Sequence, residues 1–561
     1  MPPKYSREIT QPIVMGDSLK EQFRTSPCEI ACPAGNPVQK LAALVEKGDF
    51  AEALRYLYAK NPFPGMTGRT CPHFCQSSCN RNKKDGCVRT RELERAAVDF
   101  GGNVPIFTRR PATGKRVSVI GGGPAGLTSA YFLSLLGHDV TVYEAAPLLG
   151  GMPRHAVPAF RLPRDVVDRE VGRVLACGVH ARVNTAVGRD ISFAAIRAAS
   201  DAVIVATGAP VEKVMEIPGA EYALKGVDLL HRTALGQRPA LGNRVVVIGG
   251  GGTACDCAST ARRLGAEQVE IFYRRAEQDM PAPLEDIAQA RAEGVAIRTC
   301  RVVKEIRAEN GVVTGVVCHD VRDCQKDAEG RMTCAIVPGS EQFHACDSVI
   351  FAVGMATDLA FLDGEDVQRT SRGWIVTSAG QAASMEGVFA AGDVASGPAS
   401  IAQAIGQGRK AAFGVHAYLT GEQSRVYAIN ADNAIEACDE LGADRPPHVV
   451  EFEEIYGVAQ YADCAPVEQG PLRPLSLEEC HPGYTREQAM AEAARCFHCG
   501  HCKQCGTCVA DCPGYVLGMR ENNGEERPEV LHGDECWHCA NCRTSCPCGA
   551  IAFTFPLFMQ V

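Results

Sequence analysis

The 561-residue chain has no block of basic residues, and its net charge is −9. Nucleic-acid binders carry a positive footprint, so that class of function is set aside. No apolar run approaches the roughly 18 to 20 residues that cross a bilayer. The opening stretch, MPPKYSREITQPIVMGDSLK, is polar and lacks the apolar centre of a secretory signal. These absences predict a cytoplasmic protein with no membrane span. Wholesale disorder is not expected either, since 46% of residues are hydrophobic. The length is too great for a single core, so several domains are expected.

Cysteine is what the sequence has in excess. Of 28 cysteines, six fall between Cys28 and Cys87 and eleven between Cys496 and Cys548. A reducing cytosol disfavours disulfides, so cysteines at short spacings read as metal ligands. The scattered middle ones, such as Cys177, Cys300 and Cys318, read as small buried apolar side chains.

Pattern changes divide the chain. Residues 1–113 read as helical: PVQKLAALVEKGDFAEALRYLY places Val38, Leu41, Leu44, Val45, Ala51, Leu54 and Leu57 at helical spacing. The turn-rich NPFPGMTGRTCPHFC that follows cannot continue a helix. From 114 to 420, the apolar runs RVSVIGGG, DVTVYE, AVIVATG, RVVVIGGGG, VEIFYRR and SVIFAVG alternate with helical segments. That alternation predicts a doubly wound α/β architecture with parallel sheets. Residues 421–490 read as a connector over the surface. Residues 491–561 are short, loop-rich and cysteine-dense, so metal must replace much of the missing core.

Two glycine-rich strand–turn–helix units stand 128 residues apart, from Gly121 to Gly249. In the first, Gly121 permits the tight turn, Gly123 lets backbone approach a pyrophosphate, and Gly126 lets helix pack on strand. Helix N-terminal amides then meet the anion. The next strand ends at Glu144, placed to accept both hydroxyls of an unphosphorylated ribose. The second unit carries Gly249, Gly251, Thr253 and Ala254, with alanine for the third glycine. Its next strand ends in Arg274 and Arg275, which suit a ribose 2′-phosphate and favour NADP over NAD.

At the carboxyl end, Cys502-x-x-Cys505-x-x-Cys508-x-x-x-Cys512-Pro is followed by Cys536-x-x-Cys539-x-x-Cys542-x-x-x-Cys546-Pro. This doubled run is the bacterial two-cluster ferredoxin pattern, in which the fourth cysteine of each run serves the other cluster. One 4Fe-4S cluster then takes Cys502, Cys505, Cys508 and Cys546, and the other takes Cys536, Cys539, Cys542 and Cys512. A zinc site would not account for two copies of this spacing.

GGGPAG with Glu144, ATG at 206–208, GGGGTACD at 249–256 and AAGDVASGPASIAQAIGQGRKAA from Ala390 resemble the flavoproteins with two dinucleotide-binding domains. GGMPRHAVPAFRLP at 150–163 and YRRAEQDMPA at 273–282 narrow the resemblance to the glutamate synthase small-subunit group. The electron-input domains of dihydropyrimidine dehydrogenase and of NADH-dependent ferredoxin:NADP oxidoreductase are similar. The resemblance implies an FAD domain (114–240 and 349–420) interrupted by an NAD(P) domain (241–348). A helical iron–sulfur domain (1–113) precedes them, the connector follows, and a ferredoxin-like domain (491–561) ends the chain. It further implies FAD at the first glycine unit, approached by Gly151, Arg161, Gly208, Gly354, Gly392, Asp393 and Ile401.

The same resemblance implies cluster ligands near the amino end: Cys28, Cys32, Cys75 and Cys79 for one 4Fe-4S cluster. The group's second cluster there needs a Cys-x-x-Cys before Cys28, which this sequence lacks. An orphan pair, Cys496-Phe-His-Cys499, stands at the other end after a similar phrase. Either it folds back beside Cys71, with Glu94 or Cys87 as last ligand, or that cluster is absent. Three or four clusters are therefore expected.

Thioredoxin reductases of this fold carry a redox Cys-x-x-Cys pair in the nicotinamide domain. Here Cys255 and Cys257 lie two positions apart on a helix and point to different faces, so no easy disulfide links them. Clusters are the remaining electron outlet. NAD(P)H carries electrons in pairs, clusters carry them singly, and flavin does both. The expected function is a diaphorase subunit that exchanges electrons with a partner such as a 2-oxoacid:acceptor oxidoreductase. The alternatives are a free-standing NAD(P)H:ferredoxin reductase, a glutamate synthase input subunit, or an electron-transfer scaffold with a degenerate nicotinamide site.

Overall fold

The computed structural model describes residues 24–551 except 327–331, 423–426, 430–432, 438–447, 456–460, 477, 523–524 and 538. The polar opening stretch expected to lack a signal core lies outside the described residues. Two compact units emerge: residues 106–422 with 470–482, and residues 1–105 with 423–469 and 483–561. The expected connector is therefore shared between them. Among the described residues no helix is long and apolar enough to cross a membrane.

The first unit begins with β1 (Arg116–Ile120), α1 (Pro124–Leu135), β2 (Asp139–Tyr143), β3 (His180–Arg182) and β4 (Ala202–Val205). It continues with β5 (Leu224–Lys225), β6 (Arg244–Ile248), α2 (Gly252–Arg263), β7 (Gln268–Phe272), α3 (Leu284–Ala292) and β8 (Val295–Arg298). Then come β9 (Arg301–Glu309), β10 (Val312–Lys326), β11 (Met332–Ile336), β12 (Gln342–Ala345) and β13 (Ser348–Phe351). β14 (Val388–Ala390), α4 (Asp393–Ser396) and α5 (Ile401–Thr420) complete it.

Two parallel sheets result, ordered β14-β4-β1-β2-β3 and β8-β7-β6-β13-β5. Val117, Val119, Val203 and Ile204 in the first, and Val245, Val247, Val349 and Ile350 in the second, are fully buried. Strands covered on both faces explain the unbroken β-branched runs. The second sheet draws in β5, which precedes residue 241, and ends with β13. β9, β10, β11 and β12 form a separate antiparallel sheet.

The middle cysteines depart from the uniform packing role expected of them. Cys177 and Cys318 are buried, but Cys300 is exposed, and Cys324 is disulfide-bonded to Cys334 across the β10–β11 hairpin. Cys255 and Cys257 are buried free thiols.

In the other unit, helices Val38–Glu46, Phe50–Tyr58, Pro64–Thr70 and Thr90–Phe100 bury Leu41, Leu54, Leu57 and Leu93 among themselves. A helix from far along the chain, Arg486–Ala493, packs on Val38–Glu46 and Thr90–Phe100. Its Glu492 is fully buried and accepts the Arg89 N–H at 2.8 Å, the Val467 N–H at 2.7 Å and an Arg495 N–H at 2.6 Å. A buried carboxylate this well paired fixes the direction in which the chain leaves toward Cys496.

Candidate functional site

Each parallel sheet presents one glycine turn. Gly121 has φ +111°, and a Cβ on Gly126 would collide with the Gly121 carbonyl, so helix and strand pack closer than any side chain permits. A Cβ on Gly123 would find nothing nearer than the Gly151 Cα at 3.8 Å, which leaves room for a pyrophosphate. α1 and α2 begin at Gly123 and Gly251 with no side-chain cap, so their first amides are open to an anion. Glu144 accepts the Gly122 N–H at 2.7 Å and the Ala146 N–H at 2.8 Å, which holds its carboxylate against the turn. Across that turn, the buried Thr207 hydroxyl beside Gly208 has no partner among the described residues. These features fit FAD.

Asp393 opens α4 just after Gly392, and burial pushes its carboxyl up to about 6 although Oδ1 accepts the Ala399 N–H at 3.1 Å. Ile401 starts α5, where Ser400 and Gln403 form a capping box. Gly354, with φ +112°, lies just beyond β13. Arg161 is the residue that the resemblance implied near the FAD. Its guanidinium pairs with Asp256 at 2.7 Å and Asp286 at 2.9 Å, tying segment 150–163 to α2 and α3.

In the second turn, Gly251 is open, Thr253 is half-buried, and Ala254 is buried at the position where glycine was replaced. Gly249 starts the turn with its N–H donated to the Phe272 carbonyl. Arg274 is exposed at the end of β7. Arg275 lies over the Tyr273 ring at 5.3 Å, and its buried Nε has no partner among the described residues. An unpartnered buried guanidinium nitrogen beside an open helix N-terminus fits a phosphate-bearing nucleotide.

The amino-terminal cysteines are grouped otherwise than the resemblance implied. Cys28, Cys79, Cys496 and Cys499 line one cavity. Burial first, then the charges of Cys79, Cys496 and Cys499, hold the Cys28 thiol far above its ordinary range. Cys32, Cys71 and Cys75 gather round Glu94 instead. Burial, with Glu94 next among the raising causes, pushes Cys71 up to about 12, and the same neighbours raise Cys75. The physical reason lies in two short helices, Pro27–Ala31 and Phe74–Ser77, which pack together. Cys32 and Cys79 fall outside them with extended backbone, so each cysteine pair is split between two sites. Cys87 neighbours Cys79, away from the Glu94 group.

Glu94 itself is buried, and its Oε1 accepts from Thr67 Oγ1 at 2.6 Å, Asn36 Nδ2 at 2.9 Å and Asn61 Nδ2 at 3.1 Å. Burial still raises its carboxyl to about 7.

The ferredoxin run is assembled with its fourth cysteines crossed. Burial, then Cys546, Cys502 and Cys505, raise Cys508 to about 12. Cys512, Cys536, Cys539 and Cys542 line another cavity. Cys548 is buried beside Cys546 and Cys505 and also acts on Cys496. Cys548 therefore stands between the Cys28 cavity and the ferredoxin run, while helix Pro27–Ala31 carries Cys28 and ends at Cys32 of the Glu94 group.

Among the described residues no three His, Cys, Asp or Glu side chains converge as one metal ion requires. The thiols ring cavities instead. Burial and mutual repulsion make them poor anions, a cost that a cationic cluster removes. Amide donors already point at the sulfurs: His498 N–H to Cys496 at 3.4 Å, Gln504 N–H to Cys502 at 3.4 Å, Asn36 N–H to Cys32 at 3.4 Å and Ala550 N–H to Cys546 at 3.3 Å. Such donors tune iron–sulfur clusters, so the residues fit 4Fe-4S groups.

Residues 115–408 match the pyridine nucleotide-disulphide oxidoreductase family. The chain belongs to that family. Residues 21–104 match the 4Fe-4S domain II of dihydropyrimidine dehydrogenase, and residues 495–550 match 4Fe-4S dicluster domains. One relative is the NADP(+)-dependent formate dehydrogenase subunit beta of Moorella thermoacetica, 34% identical over 84% of this chain and 70% of that one. The NADPH-Fe(3+) oxidoreductase subunit beta of Geobacter sulfurreducens is 32% identical over 84% of this chain and 75% of its own. The glutamate synthase [NADPH] small chain of Azospirillum brasilense is 34% identical over 72% and 89%. This member of the family is an FAD-dependent NAD(P) oxidoreductase with 4Fe-4S clusters.

One feature of the cysteine loops escaped the motif reading. His73, His498 and Gln504 each stand two residues after a cysteine with left-handed backbone, φ between +51° and +63°. In the last two, that turn aims the residue's own N–H back at the cysteine sulfur. No glycine marks these positions, so no glycine could have announced them.

Proposed function

We propose that this chain is the NADPH-linked electron-exchange subunit of a larger complex, working with a partner such as a 2-oxoacid:acceptor oxidoreductase. The observation that carries the reading is the succession of four ligand groups in one compact unit, from Glu94 through Cys28 and Cys505 to Cys536. One acceptor bound to this chain would not need so long a row. The printed names of the relatives support it: each is a subunit or small chain, and each names NADP or NADPH.

The chain's own residues have separable tasks. Arg274 and Arg275 would take the nucleotide 2′-phosphate, while the open start of α2 receives the pyrophosphate. Gly123 leaves space for the flavin pyrophosphate, Gly151 lets its segment close on Gly123, and Glu144 and Asp393 would orient the rest. Glu94 would serve as the oxygen ligand of the first cluster, with Cys32, Cys71 and Cys75. Cys496 and Cys499 would complete the second with Cys28 and Cys79. Bound FAD supplies the exchange between a two-electron hydride and single electrons. Asn80, whose side chain donates to Cys499 at 3.5 Å, and the loop amides hold the sulfurs' negative charge.

Anaerobic purification from the native host tests the reading. Flavin and iron should accompany the polypeptide, NADPH should bleach the flavin at lower concentration than NADH, and a catalytic subunit should copurify. Isolation as a lone, fully active NADPH:ferredoxin reductase would overturn it.

A further inference from the structure

We propose that Cys324 and Cys334 form a thiol–disulfide exchange site that sets the affinity of the enzyme for NADP(H), with a protein dithiol as reactant. The proposal rests on reading Arg274 and Arg275 as the groups that take the 2′-phosphate.

Every other described cysteine is a free thiol, so this bond stands apart among the described cysteines. Both cysteines are half-buried, within reach of a reductant. Their sulfurs lie 3.8 Å and 3.6 Å from the carbonyl oxygen of Arg274. The disulfide is thus packed on the main chain of the arginine pair.

A second connection runs through the backbone. The Arg275 carbonyl accepts the Cys300 N–H at 2.9 Å, and the Cys300 carbonyl accepts the Val321 N–H at 2.9 Å. Val321 stands on β10, three residues before Cys324. Arg274 therefore touches the disulfide, and Arg275 is linked through Cys300 to the strand that carries it. Arg275 keeps its buried Nε unpartnered and its guanidinium over the Tyr273 ring, so its position depends on Tyr273 and on this backbone.

Reduction is a two-electron step. A thiolate of the dithiol attacks one sulfur, the Cys324–Cys334 bond breaks, and a mixed disulfide forms. The second thiol of the reductant then releases it as its own disulfide. Two electrons and two protons have passed to the pair, which ends as two thiols. Unbonded sulfurs need more room than a bonded pair, and the Arg274 carbonyl is the wall they press on. The β10–β11 pairing loosens, the Arg274 main chain shifts, and the arginines leave the phosphate. NAD(H), which has no 2′-phosphate, is unaffected.

The test uses the full-length holoenzyme and oxidised nucleotides, so binding is read without turnover. Differential alkylation with mass spectrometry should find Cys324 and Cys334 protected as isolated and modified after a thioredoxin-type dithiol. Calorimetric titration should then show NADP+ binding weakened about tenfold, the worth of one charge-assisted hydrogen bond, with NAD+ binding unchanged. The Cys324→Ser/Cys334→Ser variant should bind NADP+ as weakly without reductant and ignore its addition. Should that variant fold poorly, reduced and alkylated wild-type protein supplies the same comparison.

Arg275→Ala separates the two layers of the argument. If it weakens NADP+ selectively while reduction and the serine pair change nothing, the exchange site is overturned and the arginine reading stands. If Arg275→Ala leaves the NADP+ to NAD+ ratio alone, the arginine reading fails and the proposal falls with it. Free thiols at Cys324 and Cys334 in protein isolated without reductant also overturn it.

Discussion

Asp393 shows at the scale of one residue how a binding group strains the apoprotein. Its carboxyl is pushed from 3.8 up to about 6 by burial, with a single amide donor in partial compensation. A raised folded value means that the folded state binds the proton more tightly than the unfolded chain between those two values. Stability therefore falls as pH rises through that window, and above it the full penalty, about 3 kcal/mol, is present. Asp393→Asn should raise the denaturation midpoint of flavin-free protein at pH 7.5 and flatten its dependence between pH 4 and 6. The same variant should bind FAD more weakly, because the carboxylate is lost as a ligand group. Differential scanning fluorimetry of apo and flavin-loaded protein checks both signs, and an unchanged midpoint would refute the burial argument.

At the scale of elements, the β1–α1 turn and the α2 turn make a natural contrast. A methyl on Gly126 has no space against the Gly121 carbonyl, whereas the second unit carries Ala254, fully buried and accommodated. Gly126→Ala should cost about 2 to 3 kcal/mol by overpacking. It should release flavin in the same urea transition and leave the iron content unchanged, since the clusters belong to the other compact unit. These strand–turn–helix elements were legible in the sequence because their signals are local: glycines at fixed offsets, and a β-branched run on either side. The crossed neighbourhood of the ferredoxin cysteines was legible for the same reason.

The division of Cys28 from Cys32, and of Cys75 from Cys79, was not legible. It depends on where two five- and four-residue helices stop, and on extended backbone at Cys32 and Cys79. The disulfide was hidden too. It follows from β10–β11 register, with Gln325 opposite Thr333, and not from any spacing that distinguishes Cys324 and Cys334 from packing residues. Arg161, which the resemblance implied near the FAD, is paired with two carboxylates from α2 and α3, a tertiary contact that no local motif encodes.

Over the whole molecule, the decisive quantity is the number of clusters. Without the fold-back, the sequence offers three complete ligand sets. With it, Glu492 anchors the departing chain and Cys496 and Cys499 join Cys28 and Cys79, making four. At four irons per cluster the holoenzyme should carry about sixteen irons, and Cys496→Ser/Cys499→Ser about twelve. That variant keeps both nucleotide turns and the ferredoxin run, so NADPH oxidation by a dye that accepts from flavin should survive. Because the lost group lies between the Glu94 group and the crossed run, reduction of the last two clusters by NADPH should slow by orders of magnitude. Iron analysis together with stopped-flow reduction followed by electron paramagnetic resonance measures both. Twelve irons in the native protein, or undiminished reduction of the ferredoxin clusters in the variant, would mean that the Cys496 pair is not a link. The path would then bypass the cavity that brings the two ends of the chain together.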